Sequence, residues 1–212
     1  MTKIQLALDT ASTAEALRVA TAAAASVDVI EAGTVLVLSD GLGAVRALRS
    51  QFPDRPIVAY IRIGRAGKKF AEMAFSAGAS IVTVLGECPL DVVEGAVSAA
   101  AKVGGQVEVE LPANWTPGDV TGWANAGVST LIAHRSGHHT AAEDDEIRSV
   151  LRRLEGCDLH GMEVTLAGGF APGDTKHFAG LHYDTVAVGS AIAKAADPAM
   201  VAAALREELT RE

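Results

Sequence analysis

The chain has 212 residues, of which 49% are hydrophobic and 21% charged, so it has ample apolar material for a core and is not disordered. Its formal net charge of −8 leaves no basic stripe to meet phosphate backbones, which argues against a nucleic-acid partner. No apolar run reaches the ~20 residues of a membrane helix, so we expect no membrane partner. Cys88 and Cys157 lie far apart without a C-x-x-C motif, which predicts two reduced thiols in a cytoplasmic protein.

Short apolar runs alternate with longer stretches of helical period along the chain. The apolar runs predict strands at residues 4–9, 27–33, 56–63, 80–86, 106–111, 129–136, 162–169 and 184–190. The stretches between them predict helices at residues 13–25, 43–52, 66–78, 90–104, 117–127, 142–156, 173–180 and 198–209. Most strand runs are nearly continuous in Val, Ile, Leu and Ala, which is typical of strands covered by helices.

This alternation predicts eight strand–helix pairs in a chain without a linker-like stretch. That number and spacing favour a single (β/α)8 TIM barrel over residues 1–212. The alternative is a doubly wound open sheet. Such a sheet usually has fewer strands, and the nucleotide-binding fingerprint expected after its first strand is absent here.

Ionisable and polar residues lie at the predicted carboxyl ends of the strands, where a barrel places its chemistry. In chain order these ends give Asp9, Glu31, Tyr60 with Arg62 and Arg65, Glu87, Glu110, His134 with Arg135, Gly168 with Gly169, and Gly189 with Ser190. Charged side chains are almost never fully buried without partners. So many of them at one end of a barrel indicate a functional site rather than packing alone.

Glycines follow the seventh and eighth predicted strands, in "LAGGFAPGD" and "AVGSAIAKA". Barrels often bind a phosphate group with backbone N–H groups at this place, and glycine allows the close approach. Each glycine group alone could be a tight turn or a helix start. Because both occur on adjacent strands, we expect Gly168, Gly169, Gly189 and Ser190 to bind phosphate.

The motifs "IQLALDT", "IEAGTVL", "AGASIVTVLGE", "VEVEL", "AHRS", "VTLAGG" and "VAVGSAI" occur in this order from one end of the chain to the other. With them the chain resembles the orotidine 5′-phosphate decarboxylase suprafamily, and within it 3-keto-L-gulonate-6-phosphate decarboxylase and 3-hexulose-6-phosphate synthase. The resemblance implies a barrel of the ribulose-phosphate-binding type. It also implies a phosphorylated keto-sugar substrate, an enediolate intermediate near Mg²⁺, and a homodimer with shared active sites.

Carried over by position, the resemblance gives each strand-end residue a role. Asp9 would contact the substrate, Glu31 would be a metal ligand, Glu110 would lie in the polar ring of the barrel mouth, and His134 would transfer a proton. The resemblance weakens at the third strand, where the family has an Asp-x-Lys-x-x-Asp motif followed by Ala-Gly-Lys. Here "YIRIGRAGK" aligns without a gap and replaces these three residues by Tyr60, Arg62 and Arg65.

These replacements change the chemistry expected of the site. Tyr60 removes a carboxylate ligand and Arg62 repels a dication, so Mg²⁺ binding by Glu31 becomes doubtful. Arginine remains protonated at any working pH and cannot donate a proton as the family's lysine does, but it can pair with an anion. Two more basic positions of the family are Gly137 and Ser190 here.

We therefore expect Arg62 and Arg65 to neutralise an anionic intermediate while Tyr60 contacts the substrate and His134 relays a proton. The leading hypothesis is a carbon–carbon lyase that decarboxylates a phosphorylated keto-sugar acid, without a metal. An aldolase of the hexulose-phosphate-synthase type is one alternative, although "AHRS" resembles the decarboxylase form more. A barrel that binds a sugar phosphate without catalysis, its arginines paired with Asp9, Glu31 or Glu110, is the other.

Overall fold

The computed structural model describes residues 1–135 and 141–211, in which eight strands close into one barrel in chain order. Each strand pairs in parallel with the next, and β8 pairs with β1. The strands are β1 (Lys3–Leu8), β2 (Val29–Ala32), β3 (Ile57–Ile63), β4 (Ile81–Leu85), β5 (Gln106–Glu110), β6 (Thr130–His134), β7 (Glu163–Ala167) and β8 (Thr185–Val188). The predicted (β/α)8 TIM barrel is confirmed, and its closure excludes the open doubly wound sheet.

Helices follow the strands and cover the outside of the barrel. They are α1 (Thr13–Ala23), α2 (Thr34–Asp40), α3 (Gly43–Gln51), α4 (Gly67–Ser76), α5 (Leu90–Ala101), α6 (Pro117–Ala126), α7 (Ala141–Glu155), α8 (Ser190–Ala193) and α9 (Pro198–Arg211). The predicted helix at 173–180 is wrong in type, because only a 3-10 turn forms there, at Thr175–Phe178. Gly173 and Gly180 both have positive φ angles, so neither end of the turn continues as an α-helix.

The ends of these helices follow local rules that the sequence contains. Helix α6 begins with a capping box, in which the Thr116 hydroxyl accepts from the Asp119 N–H and the Asp119 carboxylate accepts from the Thr116 N–H. It ends at Gly127, whose φ of 94° is the left-handed conformation that closes a helix. Within the two described ranges, none of the helices is both long enough and apolar enough to cross a bilayer.

Side-chain alternation along the strands separates the main core from the barrel interior. On β5, Val107 and Val109 belong to the apolar core between strands and helices, whereas Glu108 and Glu110 face the interior. Two small apolar clusters are separate from that core. They consist of Val29, Val58 and Ile81, and of Ile132, Ala167 and Ala187 with the Tyr60 ring packed against them. The interior is therefore a packed mixture of apolar and polar side chains rather than a pore.

The interior has a buried carboxyl group close to an ion pair at the amino ends of the strands. The Lys3 Nζ lies 2.7 Å from Glu163, while Glu108 is buried and its Oε2 is without a hydrogen-bond partner among the described residues. Burial and, to a smaller extent, the negative charge of Glu163 raise the pKa of Glu108 to about 7, against a partly offsetting effect of Lys3. Glu108 therefore exchanges its proton near neutral pH.

The substitution Glu108→Gln tests this assignment through the pH dependence of stability. The folded pKa of Glu108 is above its ordinary value of 4.5, so its stabilising contribution is complete below about 4.5 and is lost as the pH rises through about 7. At pH 8 we expect the variant to exceed the wild type in free energy of unfolding by at most about 3 kcal/mol, with little gain at pH 4.5.

Urea titrations at the two pH values measure these free energies, and Glu146→Gln, at an exposed position of α7, is the control. Equal stability of the Glu108 variant and the wild type at pH 8 would show that folding does not raise the pKa of Glu108.

Candidate active site

A cavity of about 500 Å³ opens at the carboxyl ends of the strands. All but two of the predicted site residues line it: Asp9, Glu31, Tyr60, Arg62, His134, Gly168, Gly169, Gly189 and Ser190. Glu110 lies directly behind two of these side chains, and Arg65 lies elsewhere. The barrel thus brings side chains from β1, β2, β3, β6, β7 and β8 to one place, as the parallel strands require.

Two side chains at the end of β3 donate hydrogen bonds to the buried carboxylate of Glu110, at the end of β5. The Tyr60 hydroxyl donates to Glu110 Oε2 at 2.7 Å, and Arg62 Nη2 donates to Glu110 Oε1 at 2.8 Å. The Glu110 side chain is 11% exposed and that of Arg62 is 48% exposed, so the arginine faces the open cavity while its partner is covered. Burial, followed by the negative charge of Glu110, raises the pKa of Tyr60, so the phenol keeps its proton and remains a donor.

An irregular backbone gives Arg62 this position. The pairing of β3 with β4 shifts register between Ala59 and Ile63, and Arg62 has a φ of 47°, which is rare for a residue other than glycine. The Arg62 N–H donates to the Thr83 hydroxyl at 3.0 Å, which stabilises the bulge.

Glu31 is buried at the end of β2 and accepts a hydrogen bond from Gln5 Nε2. Burial is the main reason that its pKa rises to about 8, and the negative charges of Glu108, Asp9 and Glu110 act in the same direction against the smaller opposing effect of Gln5. Glu31 therefore keeps its proton at neutral pH. A carboxylic acid at this point can donate a hydrogen bond to a ligand oxygen.

Asp9 connects β1 to the beginning of α2. Its Oδ1 accepts from the Val35 N–H at 3.1 Å, so this carboxylate caps the first turn of a helix that the sequence did not predict. Gly33 makes the contact possible, because a Cβ atom there would lie 2.3 Å from Asp9 Oδ1. The carboxylate nevertheless remains exposed at the cavity wall.

The glycine turn after β7 is held from behind by a buried arginine. Gly168 has a φ of 104°, and a Cβ atom there would lie 2.3 Å from the Arg135 carbonyl oxygen, so no other residue fits. Arg135 Nε donates to the Gly168 carbonyl at 2.8 Å, and its Nη1 lies 2.5 Å from Asp144 of α7. Its guanidinium lies 4.4 Å from the centre of the Phe170 ring. Arg135 thereby fixes the glycine turn relative to α7.

Arg65 is placed outside the cavity. It lines an adjoining surface groove with Val37, Leu42, Ile61, Phe70 and Met73. Gly137, one of the two positions where the family's arginines are replaced, lies outside the described residues.

Sequence reasoning did not identify six polar residues of the cavity wall: Gln5, Thr10, Glu15, Thr34, Thr165 and Lys194. Gln5 had a detectable signal, because it is the one amide in an otherwise apolar strand run. Lys194 had none, since it comes after the strand end and after the unpredicted helix α8.

The donors in this cavity do not fit a Mg²⁺ ion, which typically takes one or two ionised carboxylates. Glu110 is engaged by Tyr60 and Arg62, Asp9 accepts from a backbone N–H, and Glu31 would have to release its proton to bind a metal. Within residues 1–135 and 141–211, no group of three or more His, Cys, Asp or Glu side chains is arranged to hold a metal.

Replacing Arg135 by Met should lower the free energy of unfolding by about 3 kcal/mol, because the buried guanidinium would be lost and the largely covered Asp144, with a side chain 15% exposed, would lose its charged partner. Urea denaturation measures the loss. Arg152→Met, on the exposed face of α7, is the matched control and should stay within about 0.5 kcal/mol of the wild type. A loss no larger than that of the control would contradict a structural role for Arg135.

The chain is similar to known proteins over nearly its whole length. The chain is 40% identical over 199 residues to the 3-keto-L-gulonate-6-phosphate decarboxylase SgbH of Escherichia coli, covering 94% of this chain and 90% of that protein. A solved structure of KGPDC from Streptococcus mutans in complex with a sugar phosphate superposes with a TM-score of 0.88 and 31% identity, over 100% of this chain and 99% of that one. The 3-hexulose-6-phosphate synthase of Salmonella typhimurium gives a TM-score of 0.87 and 30% identity, over 99% of both chains. Residues 2–205 match the orotidine 5′-phosphate decarboxylase / HUMPS family. The chain belongs to this family.

Proposed function

We propose that the protein is a carbon–carbon lyase that decarboxylates a phosphorylated keto-sugar acid through an enediolate, without a metal ion. One observation carries the proposal. A single cavity is lined by Glu31, Tyr60 and Arg62 of β2 and β3, by His134 of β6, and by the glycine turns after β7 and β8. The similarity to SgbH, named as a 3-keto-L-gulonate-6-phosphate decarboxylase, and to a KGPDC solved with a sugar phosphate supports this substrate class.

Decarboxylation of a 3-keto acid breaks the bond between the carboxyl carbon and its neighbour. The electron pair moves into the keto group, which gives CO₂ and an enediolate, and a proton is then added to the carbon that lost the carboxyl group. The enzyme must therefore stabilise an oxyanion and deliver one proton.

Arg62 is the proposed stabiliser of the oxyanion. A guanidinium has five N–H donors in a fixed plane, and the contact with Glu110 uses its Nη2 end. That contact and the left-handed backbone hold the side chain at the cavity wall before the substrate arrives. A charge positioned in advance needs no reorganisation when negative charge develops on the substrate.

His134 is the proposed proton relay, because it is exposed at the end of β6 and lines the cavity, and histidine is the side chain that exchanges protons near neutral pH. Asp9 and the protonated Glu31 would bind substrate hydroxyl and keto oxygens, and Tyr60, whose ring packs against Ile132, Ala167 and Ala187, would contact the substrate from the same cavity wall. Gly168, Gly169, Gly189 and Ser190 would hold the phosphate.

The test is CO₂ release from 3-keto-L-gulonate 6-phosphate by the purified protein. We expect turnover that EDTA does not change. Arg62→Met should lower kcat/KM by about 100-fold, the typical effect of removing one oxyanion donor. His134→Asn should lower kcat more than it raises KM, because it removes a proton-transfer group. Arg18→Met, at an exposed position of α1, is the control.

Three other results would each overturn a different part of the proposal. Activity restored only by Mg²⁺ would contradict the metal-free mechanism. Aldol addition to a ketose phosphate without decarboxylation would favour the synthase type. Thermal stabilisation by sugar phosphates without any turnover would favour a non-catalytic binding barrel.

We further infer a homodimer with shared active sites. Four apolar side chains form what we term the α2–α4 surface, and each is at least 36% exposed: Val35, Leu38, Phe70 and Met73. The surface adjoins the cavity, because Arg62 lines both the cavity and the groove of Arg65. Exposed apolar side chains grouped in this way favour a protein interface, and the family resemblance favours a second copy. Arg65 would then act at the subunit boundary.

Leu38→Glu should convert the dimer into a monomer, because Leu38 is 82% exposed and the new charge would be buried against the partner. Sedimentation equilibrium should show the mass fall from twice 21.8 kDa to 21.8 kDa. Val103→Glu, at an exposed apolar position after α5, is the control and should leave the mass unchanged. A wild-type protein that is already monomeric would refute the interface.

Cys88 and Cys157 are both free cysteines, which supports a cytoplasmic location. The substrate remains the only partner that we propose besides the second copy of the chain.

A further inference from the structure

Lys194 lies where the substrate's phosphate is expected, although no strand-end motif includes it. It follows α8 directly, and its N–H donates to the Ser190 carbonyl at 3.0 Å, one helical turn back. It lines the cavity together with Ser190 and the glycines after β7 and β8. A side chain on a helical turn projects back toward the amino end of that turn. Lys194 is therefore on the Ser190 side of the cavity wall.

Lys194 differs from the other fully charged cation of the cavity wall in its ion pairing. The other fully charged cation of the wall is Arg62, which is paired with Glu110 at 2.8 Å. No salt bridge within the described ranges engages Lys194, which is exposed. Asp9 and Glu15 also line the cavity and are acidic. Lys194 is consequently the positive group of the wall that has no carboxylate partner among the described residues.

A phosphate bound at the glycine turns requires a positive charge that the turns themselves do not supply. Backbone N–H groups give hydrogen bonds, and α8 has only four residues, too few for an appreciable helix dipole. At Ser190, where the family resemblance places an arginine, the chain has a neutral hydroxyl. The Lys194 ammonium group, one helical turn after Ser190, can replace the positive charge of that arginine.

We propose that Lys194 binds the phosphate group of the substrate and replaces the charge that Ser190 lacks. This inference rests on the proposed function, since it names the residue that recognises the phosphorylated end of the same ligand. A lysine binds phosphate as a point charge on a flexible stem, so it tolerates a different attachment point from that of an arginine. The site would select phosphorylated over unphosphorylated sugars.

The test is isothermal titration calorimetry with ribose 5-phosphate, inorganic phosphate and ribose as probes. Lys194→Met should weaken the binding of both phosphate probes by about 10- to 100-fold, the range of one charge-assisted hydrogen bond. Lys194→Arg should retain most of the affinity. Lys176→Met, an exposed lysine of the 3-10 helix, is the matched control and should bind as the wild type does.

A role through charge predicts two further readouts. The affinity of the wild type for ribose 5-phosphate should fall with rising salt concentration, and the slope should be smaller for Lys194→Met. In the decarboxylase assay the same variant should raise KM by about 10-fold or more with little change in kcat, because the phosphate is remote from the reacting carbon.

The outcomes separate the two levels of the proposal. If the wild type binds ribose 5-phosphate and Lys194→Met binds it equally well, the role of Lys194 is refuted while the proposed function stands. If the wild type binds neither phosphate probe and shows no turnover, both are refuted. Equal affinity of the wild type for ribose and ribose 5-phosphate would refute phosphate recognition at Lys194 directly.

Discussion

The arrangement of side chains at the mouth of the barrel depends on the partners that balance the buried carboxylate of Glu110. A buried charge is costly unless it is paired and hydrogen-bonded. Tyr60 and Arg62 each satisfy one of the two oxygens, and both lie on β3, across β4 from β5. The contact in turn relies on the left-handed backbone of Arg62 and the register shift beside it. The hydrogen bonds to Glu110, the left-handed backbone of Arg62 and the register shift of β3 therefore depend on one another.

The two buried acidic residues of the site have different surroundings. Glu110 is balanced by a guanidinium, whereas Glu31 is buried near other carboxylates and keeps its proton at neutral pH. Two carboxyl groups in one site can therefore have different roles, one as an anchor for an arginine and one as a hydrogen-bond donor. An arrangement of this kind suits an anionic ligand better than a dication.

The opposite side of the cavity is organised by backbone geometry. The glycine turn after β7 requires a residue without a Cβ at Gly168. Arg135 donates a hydrogen bond to the Gly168 carbonyl and also pairs with Asp144 of α7. In our proposal, Lys194 adds a positive charge beside the backbone N–H groups of these turns. A rigid glycine turn with a cation beside it would fix the phosphorylated end of a substrate, with Arg62 lining the same cavity from β3.

The sequence by itself determined the barrel, because the alternation of apolar runs with helical stretches is a local property repeated eight times. It also placed Asp9, Glu31, Tyr60 and His134 together, since the carboxyl ends of parallel strands must meet. Only the tertiary structure separated Arg62 from Arg65, because a bulge in β3 turns one into the cavity and leaves the other in the adjoining groove. These outcomes depend on contacts between residues far apart in the chain, which no local pattern contains.

Contacts between distant residues also explain the remaining differences between the sequence-based predictions and the structure. Helix α2 begins where a carboxylate from another strand caps it, so its own β-branched sequence did not reveal it. Arg135 connects the glycine turn to α7 only because the folded chain places Asp144 beside it. Lys194 became part of the cavity wall only when the turn after β8 folded against β1. Local propensity and spacing determined which residues reach the mouth of the barrel, and packing between distant segments decided which of them act together.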